Sequence, residues 1–140
     1  MQDNILSIRN LKKIYHDKNG ETLAIDDLNL DIKEGETLAI VGPSGCGKST
    51  LLSILANLEN KSFGSIIFNG RKKMGYMLQT DPLMPWRTIL DNSLIGLEIS
   101  NLKTSENIKK VHDLLDKYGL HDFKDKYPSN LSGGMKQRVV

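Results

Sequence analysis

The chain reads Gly42-Pro43-Ser44-Gly45-Cys46-Gly47-Lys48-Ser49-Thr50, and its first eight residues match the phosphate-loop pattern GxxxxGK[ST]. The glycines let the backbone curl so that successive N–H groups face one centre, where an anion can bind. In this pattern Lys48 reaches the β- and γ-phosphates, and the Ser49 hydroxyl binds Mg²⁺. We interpret the stretch as a nucleoside triphosphate site. The alternative is a glycine-rich turn that matches the pattern by chance.

The sequence on both sides of the loop supports this interpretation. Residues 36–41 are an apolar run that predicts a buried strand, and residues 51–55 continue as a predicted helix. This order places the phosphates at a helix N-terminus, where free N–H groups and the helix dipole favour an anion. Upstream, residues 5–11 and 22–32 predict two strands joined by the Asn-Gly turn signal at 19–20, with Gly35 turning the chain towards the loop. An antiparallel layer is therefore expected before the nucleotide-binding core.

Downstream of the loop, the pattern predicts strands over 64–70 and 73–78 and helices over 88–99 and 105–118. The second of these strands delivers Gln79 at its end. Ser105 is a candidate N-cap of the second helix, and Gly119 is a candidate stop signal. One face of that helix is apolar, and its members are Ile108, Val111, Leu114 and Leu115. The predicted fold class is α/β with a helical insertion.

Composition limits the classes of partner. A chain of 140 residues with 39% hydrophobic and 26% charged residues is one globular domain or part of one. A net charge of +2 gives no basic surface for nucleic acid, and Arg71-Lys72-Lys73 is interpreted as a solvated turn. Cys46 is the only cysteine, which excludes an internal disulfide and favours a reducing compartment. No signal peptide or span of ~20 apolar residues is evident, so we expect any membrane association to need a partner.

A second strong motif is Leu131-Ser132-Gly133-Gly134-Met135-Lys136-Gln137-Arg138. Ser132 is a good N-cap, the two glycines leave backbone N–H groups bare, and a helix-forming run follows. Such a helix start is another candidate anion site. Taken alone, the stretch is equally typical of a plain capping turn.

With both motifs in place, the chain resembles the first part of an ATP-binding-cassette (ABC) transporter ATPase subunit over essentially all 140 residues. Residues 42–50 resemble the family's Walker A loop, Gln79 its Q-loop glutamine, and residues 131–137 its signature motif. Tyr15 resembles the aromatic residue on which adenine stacks, although a tyrosine in a hairpin can also serve packing alone. A finer likeness to nitrate/sulfonate/taurine-type importers is carried by GYMLQ, PWRTILDN and IGLE, at 75–79, 85–92 and 95–98.

The resemblance implies a mechanism. Two such subunits close head to tail around two ATP molecules, each bound by the loop of one subunit and the signature helix of the other. Lys48 and the loop amides would hold the phosphates, and Ser49 and Gln79 would serve the metal and the attacking water. The trans contacts would come from the signature motif, namely Ser132, Gly133, Gly134 and Gln137.

The resemblance also implies further partners at the cytoplasmic face of the membrane: transmembrane permease subunits and a solute-binding protein. The loop after Gln79 is apolar at residues 83–86. Either Trp86 packs beneath the helical insertion, or this rim forms the groove where a permease helix docks.

Two catalytic elements of the family are not found in these residues. An apolar strand ending in Asp-Glu (Walker B) and a switch histidine would follow the signature motif; Asp26-Asp27 precedes the loop, and His16, His112 and His121 lie too early and are expected to be exposed. We therefore expect a partial nucleotide-binding domain over 1–140, with a β layer and phosphate-loop core over 1–80 and a helical subdomain over 81–140. We expect these residues to lack the C-terminal part of the core and to show no steady ATPase activity alone.

Three hypotheses remain from the sequence. The first is the ATP-binding subunit of an ABC importer, present here as a truncated or incomplete sequence. The second is a non-catalytic fragment that binds nucleotide or docks a partner. The third is a DNA-repair or chromosome-maintenance ATPase of the same superfamily, but only about 80 residues separate the two motifs here, too few for the long coiled coils of that class.

Overall fold

The computed structural model describes residues 4–18, 20–70, 74–80 and 82–140. The chain divides into an N-terminal unit, Met1–Tyr76, and a C-terminal unit, Met77–Val140. The N-terminal unit contains strands β1 (Asn4–Asp17), β2 (Gly20–Lys33) and β3 (Phe63–Phe68) and helix α1 (Lys48–Leu55). The C-terminal unit contains helices α2 (Ile89–Ile99), α3 (Ser105–Lys117) and α4 (Gly133–Val139), and two 3₁₀ turns at His121–Phe123 and Pro128–Asn130.

The N-terminal unit is built on an antiparallel sheet with strand order β2-β1-β3. Ile8 in the central strand pairs with Leu30 on one side and Ile66 on the other. Every second side chain of a strand faces the same side, so one face of β1 is apolar and receives α1. The resulting core consists of Leu6, Ile8, Leu11, Ile25, Leu51, Ile54 and Leu55. The predicted antiparallel layer and the helix after the loop are confirmed; Asn19 of the predicted turn lies outside the described residues.

Two predicted strands are wrong. Residues 36–41 and 74–78 have no strand structure, while the solvated turn expected at 71–73 lies outside the described residues. Val41 is 87% exposed, and Leu38 and Ile40 are 42% and 38% exposed. An apolar run becomes a buried parallel strand only where neighbouring strands complete its ladder, and nothing in the described part of the chain pairs with either segment. The described sheet is therefore entirely antiparallel.

The C-terminal unit packs its helices around a second core of Ile89, Leu115, Leu120 and Leu131. Helix α2 begins where predicted, because the Thr88 hydroxyl accepts a hydrogen bond from the Asp91 N–H at 3.1 Å. No helix within the described ranges is long and apolar enough to cross a bilayer.

Helix α3 differs from the prediction at its N-terminus. The N-cap is Thr104 and not Ser105: its hydroxyl accepts from the Asn107 N–H at 3.3 Å, and its backbone is extended, whereas Ser105 is already helical. Gly119 follows the last turn with φ of 72°, as predicted. The predicted apolar face is only partly correct, since Leu115 is buried but Leu114 is 51% exposed.

Candidate nucleotide site

The phosphate loop is held against strand β2 by Gly47. This residue is the N-cap of α1 and has a left-handed backbone, with φ of 91° and ψ of 2°. A Cβ atom at Gly47 would lie 2.4 Å from the Ala24 carbonyl oxygen, so only glycine allows this approach. The close contact fixes the loop relative to the sheet.

The loop offers several backbone donors. Among the hydrogen bonds of the described residues, none is donated by the N–H groups of Gly45, Gly47, Lys48 or Ser49. These donors lie in the loop and in the first turn of α1, where the helix dipole adds positive potential. A loop of this pattern turns such donors towards phosphate oxygens.

Lys48 adds a full positive charge to these donors. Its Nζ donates to the carbonyl oxygens of Gly42 and Pro43, at 2.8 and 2.7 Å, and lies 3.4 Å from the Cys46 sulfur. The ammonium group therefore lies inside the curl of the loop. A bound phosphate would compete with the two carbonyl oxygens for the same three donor hydrogens.

The Ser49 hydroxyl fits a role as a magnesium ligand. Mg²⁺ keeps most of its water and takes one or two protein oxygens together with substrate phosphates, so it does not need a cage of carboxylates. The described residues contain no cluster of three or more His, Cys, Asp or Glu side chains that could form such a cage. Ser49 is exposed in the first turn of α1. Within the N-terminal unit the candidate protein ligand is therefore one hydroxyl, to be completed by the nucleotide.

Tyr15 belongs to the same sheet as Ala24, the β2 residue whose carbonyl oxygen approaches the loop at Gly47. It pairs with Thr22, two residues from Ala24 along β2, which is a distance of roughly 7 Å in an extended strand. Its side chain is 38% exposed. The Lys13 ammonium lies 4.5 Å from the centroid of its ring. The structure thus brings Tyr15 and the phosphate loop together in one unit.

The other predicted site residues belong to the C-terminal unit. Gln79 is exposed and follows a segment without strand structure. Ser132 is the N-cap of α4, as predicted, and its hydroxyl accepts from the Met135 N–H at 3.4 Å. Three further signature residues, Gly133, Gly134 and Gln137, are exposed. Their roles in trans remain predictions.

Trp86 does not pack beneath the helices, because 72% of its side chain is exposed. The loop that carries it is held by Asn92, which is only 8% exposed. Asn92 Oδ1 accepts from the Met84 N–H at 2.7 Å, and its Nδ2 donates to the Thr88 carbonyl at 2.9 Å. The amide also reaches the carbonyl oxygens of Met84 and Arg87, both at 3.1 Å. In the sequence, Asn92 belongs to a predicted helix and to the PWRTILDN stretch at 85–92, and neither indicates these hydrogen bonds.

We expect Asn92→Ala to lower the free energy of unfolding of the C-terminal unit by about 1–3 kcal/mol, because the partly buried Met84 N–H would lose its partner. Urea unfolding followed by circular dichroism and Trp86 fluorescence measures this. The matched control is Asn107→Ala on α3, whose amide donates to one carbonyl, that of Leu102, in a more exposed position. Equal losses for the two variants would contradict the proposed role of Asn92.

Glu98 completes the support of this loop. It pairs with Lys103 at 2.8 Å and with Arg87 at 2.7 Å. Hydrogen bonds from Lys103 and Arg87 hold the pKa of Glu98 below its ordinary value. Because the folded-state pKa is lowered, the pair contributes to stability above the ordinary carboxyl pKa, and the contribution is lost as pH falls through the lowered value.

The family model described as ABC transporter matches residues 25–140. The chain belongs to this family. Among curated proteins, an uncharacterized ABC transporter ATP-binding protein of Methanocaldococcus jannaschii is 40% identical over 96% of this chain and 53% of its own length. The taurine import ATP-binding protein TauB of Roseobacter denitrificans is 40% identical over the same shares. The sulfate/thiosulfate import ATP-binding protein CysA of Pectobacterium atrosepticum is 40% identical over 96% of this chain and 44% of its own.

Solved structures confirm the fold as that of an ABC ATPase cassette. The ATP-binding cassette MJ0796, in a dimeric post-hydrolysis state bound to ADP and Pi, superimposes with a TM-score of 0.82 at 30% identity. A second dimeric structure of this cassette gives a TM-score of 0.84 at 31% identity. In both, the match covers 96% of this chain and 66% of the other. The chain spans about half the length of the curated relatives it matches.

Proposed function

We propose that this chain is the ATP-binding part of an ABC importer subunit, which binds Mg²⁺–ATP at residues 42–50 and couples its binding and hydrolysis to solute uptake. The observation that carries the proposal is the set of free loop N–H groups around the Lys48 ammonium at the start of α1. Membership of the ABC transporter family supports a nucleotide as the ligand of these donors. The import proteins among the relatives favour solute uptake over other uses of ATP.

In this proposal, Lys48 and the loop amides neutralise the phosphates, and Ser49 supplies one oxygen to Mg²⁺. Bound magnesium would polarise the phosphate oxygens. Gln79 serves the metal and the water, and Ser132, Gly133, Gly134 and Gln137 contact the nucleotide of a second subunit in a head-to-tail dimer. The dimeric MJ0796 cassettes support a two-subunit assembly of this kind. We assign the N-terminal unit to the β layer and phosphate-loop core, and the C-terminal unit to the helical subdomain.

The proposal includes a membrane complex at the cytoplasmic face, with permease subunits and a solute-binding protein as partners and without nucleic acid. The exposed Trp86 ring, on a loop held by Asn92, supports docking of a permease helix at residues 83–86. Relatives named for taurine and sulfate import favour a small solute that carries a sulfonate or sulfate group.

Alkylation of Cys46 tests nucleotide binding directly. The thiol is exposed within the loop and is the only one in the chain, so iodoacetamide labels a single site. We expect Mg²⁺–ATP and Mg²⁺–tripolyphosphate to slow labelling, because phosphates would cover the loop and engage the neighbouring Lys48. Adenosine at the same concentration should leave the rate unchanged. Equal labelling with and without ATP, measured by mass spectrometry, would contradict the proposal.

A further inference from the structure

Lys13 is buried to a degree that is unusual for a lysine. Its exposed fraction is 7%, although it belongs to a strand of a small sheet. The Nζ atom lies 2.6 Å from Glu59 Oε1 and donates to the Asn60 carbonyl at 2.7 Å. Lysine is almost never buried unless it is paired, and here an ion pair and a carbonyl fix the position of the ammonium group.

The same ammonium group covers one face of Tyr15, at 4.5 Å from the ring centroid. The two residues are two apart in β1, the spacing that places side chains on the same face of a strand. A cation over an aromatic face is attractive, and more so where the cation is shielded from water. Glu59 and Asn60 therefore hold the ring indirectly, through Lys13.

The strand opposite this pair, β2, has an irregularity at the residue that approaches the phosphate loop. Lys13 pairs with Ile25 and Ile14 pairs with Leu23, so Ala24 is an extra residue in β2. Such bulges redirect the chain locally. The carbonyl oxygen of Ala24 is the atom nearest to where a Cβ of Gly47 would lie. The β2 segment that pairs with Lys13 and Tyr15 is thus the one that approaches the loop.

We propose that Lys13, tethered by Glu59, is a positioning residue that fixes Tyr15 as a one-sided stacking surface for the base of the nucleotide. The inference rests on the proposed function, in which the phosphates bind at residues 42–50. With the cation on one face, only the other face of the ring remains for a base. A ring already held in its bound orientation loses less side-chain freedom when the base stacks on it, and this strengthens binding.

The test compares two ligands on the full chain by isothermal titration calorimetry with Mg²⁺: ATP, which has a base, and tripolyphosphate, which has none. We expect Lys13→Met to weaken ATP binding on the order of 5-fold, equivalent to the ~1 kcal/mol of a cation–π contact. Tripolyphosphate binding should be unchanged. Glu59→Gln, which keeps the lysine and weakens its tether, should give a smaller loss for ATP alone. The matched control is Lys12→Met, which removes a neighbouring lysine paired with Asp26 at 2.9 Å and should affect neither ligand.

The other outcomes would contradict the positioning role of Lys13, base stacking on Tyr15 or the phosphate site, as follows. Equal weakening of both ligands by Lys13→Met, or no weakening of ATP, overturns the positioning role. In a Tyr15→Ala background, Lys13→Met should have no further effect on ATP; an undiminished effect also overturns it. If Tyr15→Ala leaves ATP binding intact, base stacking on Tyr15 is wrong, whereas the phosphate site stands. If the unmodified chain binds neither ligand, the proposed function fails and this inference fails with it. Should Lys13→Met not fold, Glu59→Gln decides by the same criteria.

Discussion

Gly47→Ala is expected to reduce ATP affinity by at least roughly 100-fold, or about 3 kcal/mol, and to destabilise the N-terminal unit. Two physical effects add at this position. A non-glycine residue in the left-handed region, here φ of 91°, costs of order 1–3 kcal/mol. The new Cβ would also lie 2.4 Å from the Ala24 carbonyl oxygen, which belongs to backbone and cannot rotate away. The loop must therefore leave β2, and its N–H groups no longer converge.

Two other glycines separate these effects. Gly35 has φ of 75°, a Cβ atom there would have no neighbour within 4 Å, and the residue lies outside the loop. Gly35→Ala should therefore cost stability without affecting nucleotide affinity directly. Gly45 lies in the loop with φ of 81°, and a Cβ atom there would also have no neighbour within 4 Å. The loss of ATP affinity in Gly45→Ala should therefore lie between the losses in Gly35→Ala and Gly47→Ala. Isothermal titration of ATP and urea unfolding measure both quantities. If Gly47→Ala matched Gly35→Ala in affinity and stability, the close approach to Ala24 would be unimportant.

Most of the elements that sequence patterns predicted correctly are stabilised by partners close in the chain; β3, which pairs with the distant β1, is the exception. The hairpin of β1 and β2, the helix after the loop and the Thr88-capped helix α2 all depend on side-chain periodicity and short-range hydrogen bonds. The strands expected over 36–41 and 74–78 depend on neighbours that the pattern does not contain, and the described residues supply none. At α3, Thr104 and Ser105 are both good caps, and only the backbone geometry decides between them.

The candidate site, too, has features that local sequence signals predict and features that depend on residues distant in the chain. The helix that begins at the loop was predicted because the run that follows Lys48 is a local signal, and the structure confirms this placement. The binding role of the loop residues stays a prediction. The tether of Tyr15 could not be predicted, since Lys13 and Glu59 are 46 residues apart and neither belongs to a motif. The one available signal was the spacing of Lys13 and Tyr15 on a common strand face. The contacts of Lys48 with the loop carbonyls were likewise visible only in the structure.

Lys48→Ala is expected to weaken ATP and tripolyphosphate binding alike, each by roughly 100-fold. A hydrogen bond to a charged group contributes about 1.5–3 kcal/mol, and an ammonium between two phosphates makes more than one. Unlike Gly47→Ala, this substitution should change the free energy of unfolding by only about 0.5 kcal/mol or less, because the bonds it removes are exposed and water can replace them. Lys48→Ala should therefore lower the affinity for phosphates strongly and the free energy of unfolding only slightly.

Lys61→Ala is the matched control, since it removes an exposed lysine of the same unit that lies outside the loop. Lys61→Ala should lower the affinities for ATP and tripolyphosphate only slightly, because it removes one distant surface charge. Added salt should suppress this small effect. Lys48→Arg keeps the charge but replaces a compact ammonium with a planar guanidinium, so it should recover only part of the lost affinity. Full recovery would mean that Lys48 acts only as a charge in the loop. A loss for ATP but not for tripolyphosphate would place Lys48 near the base and contradict its assignment to the phosphates.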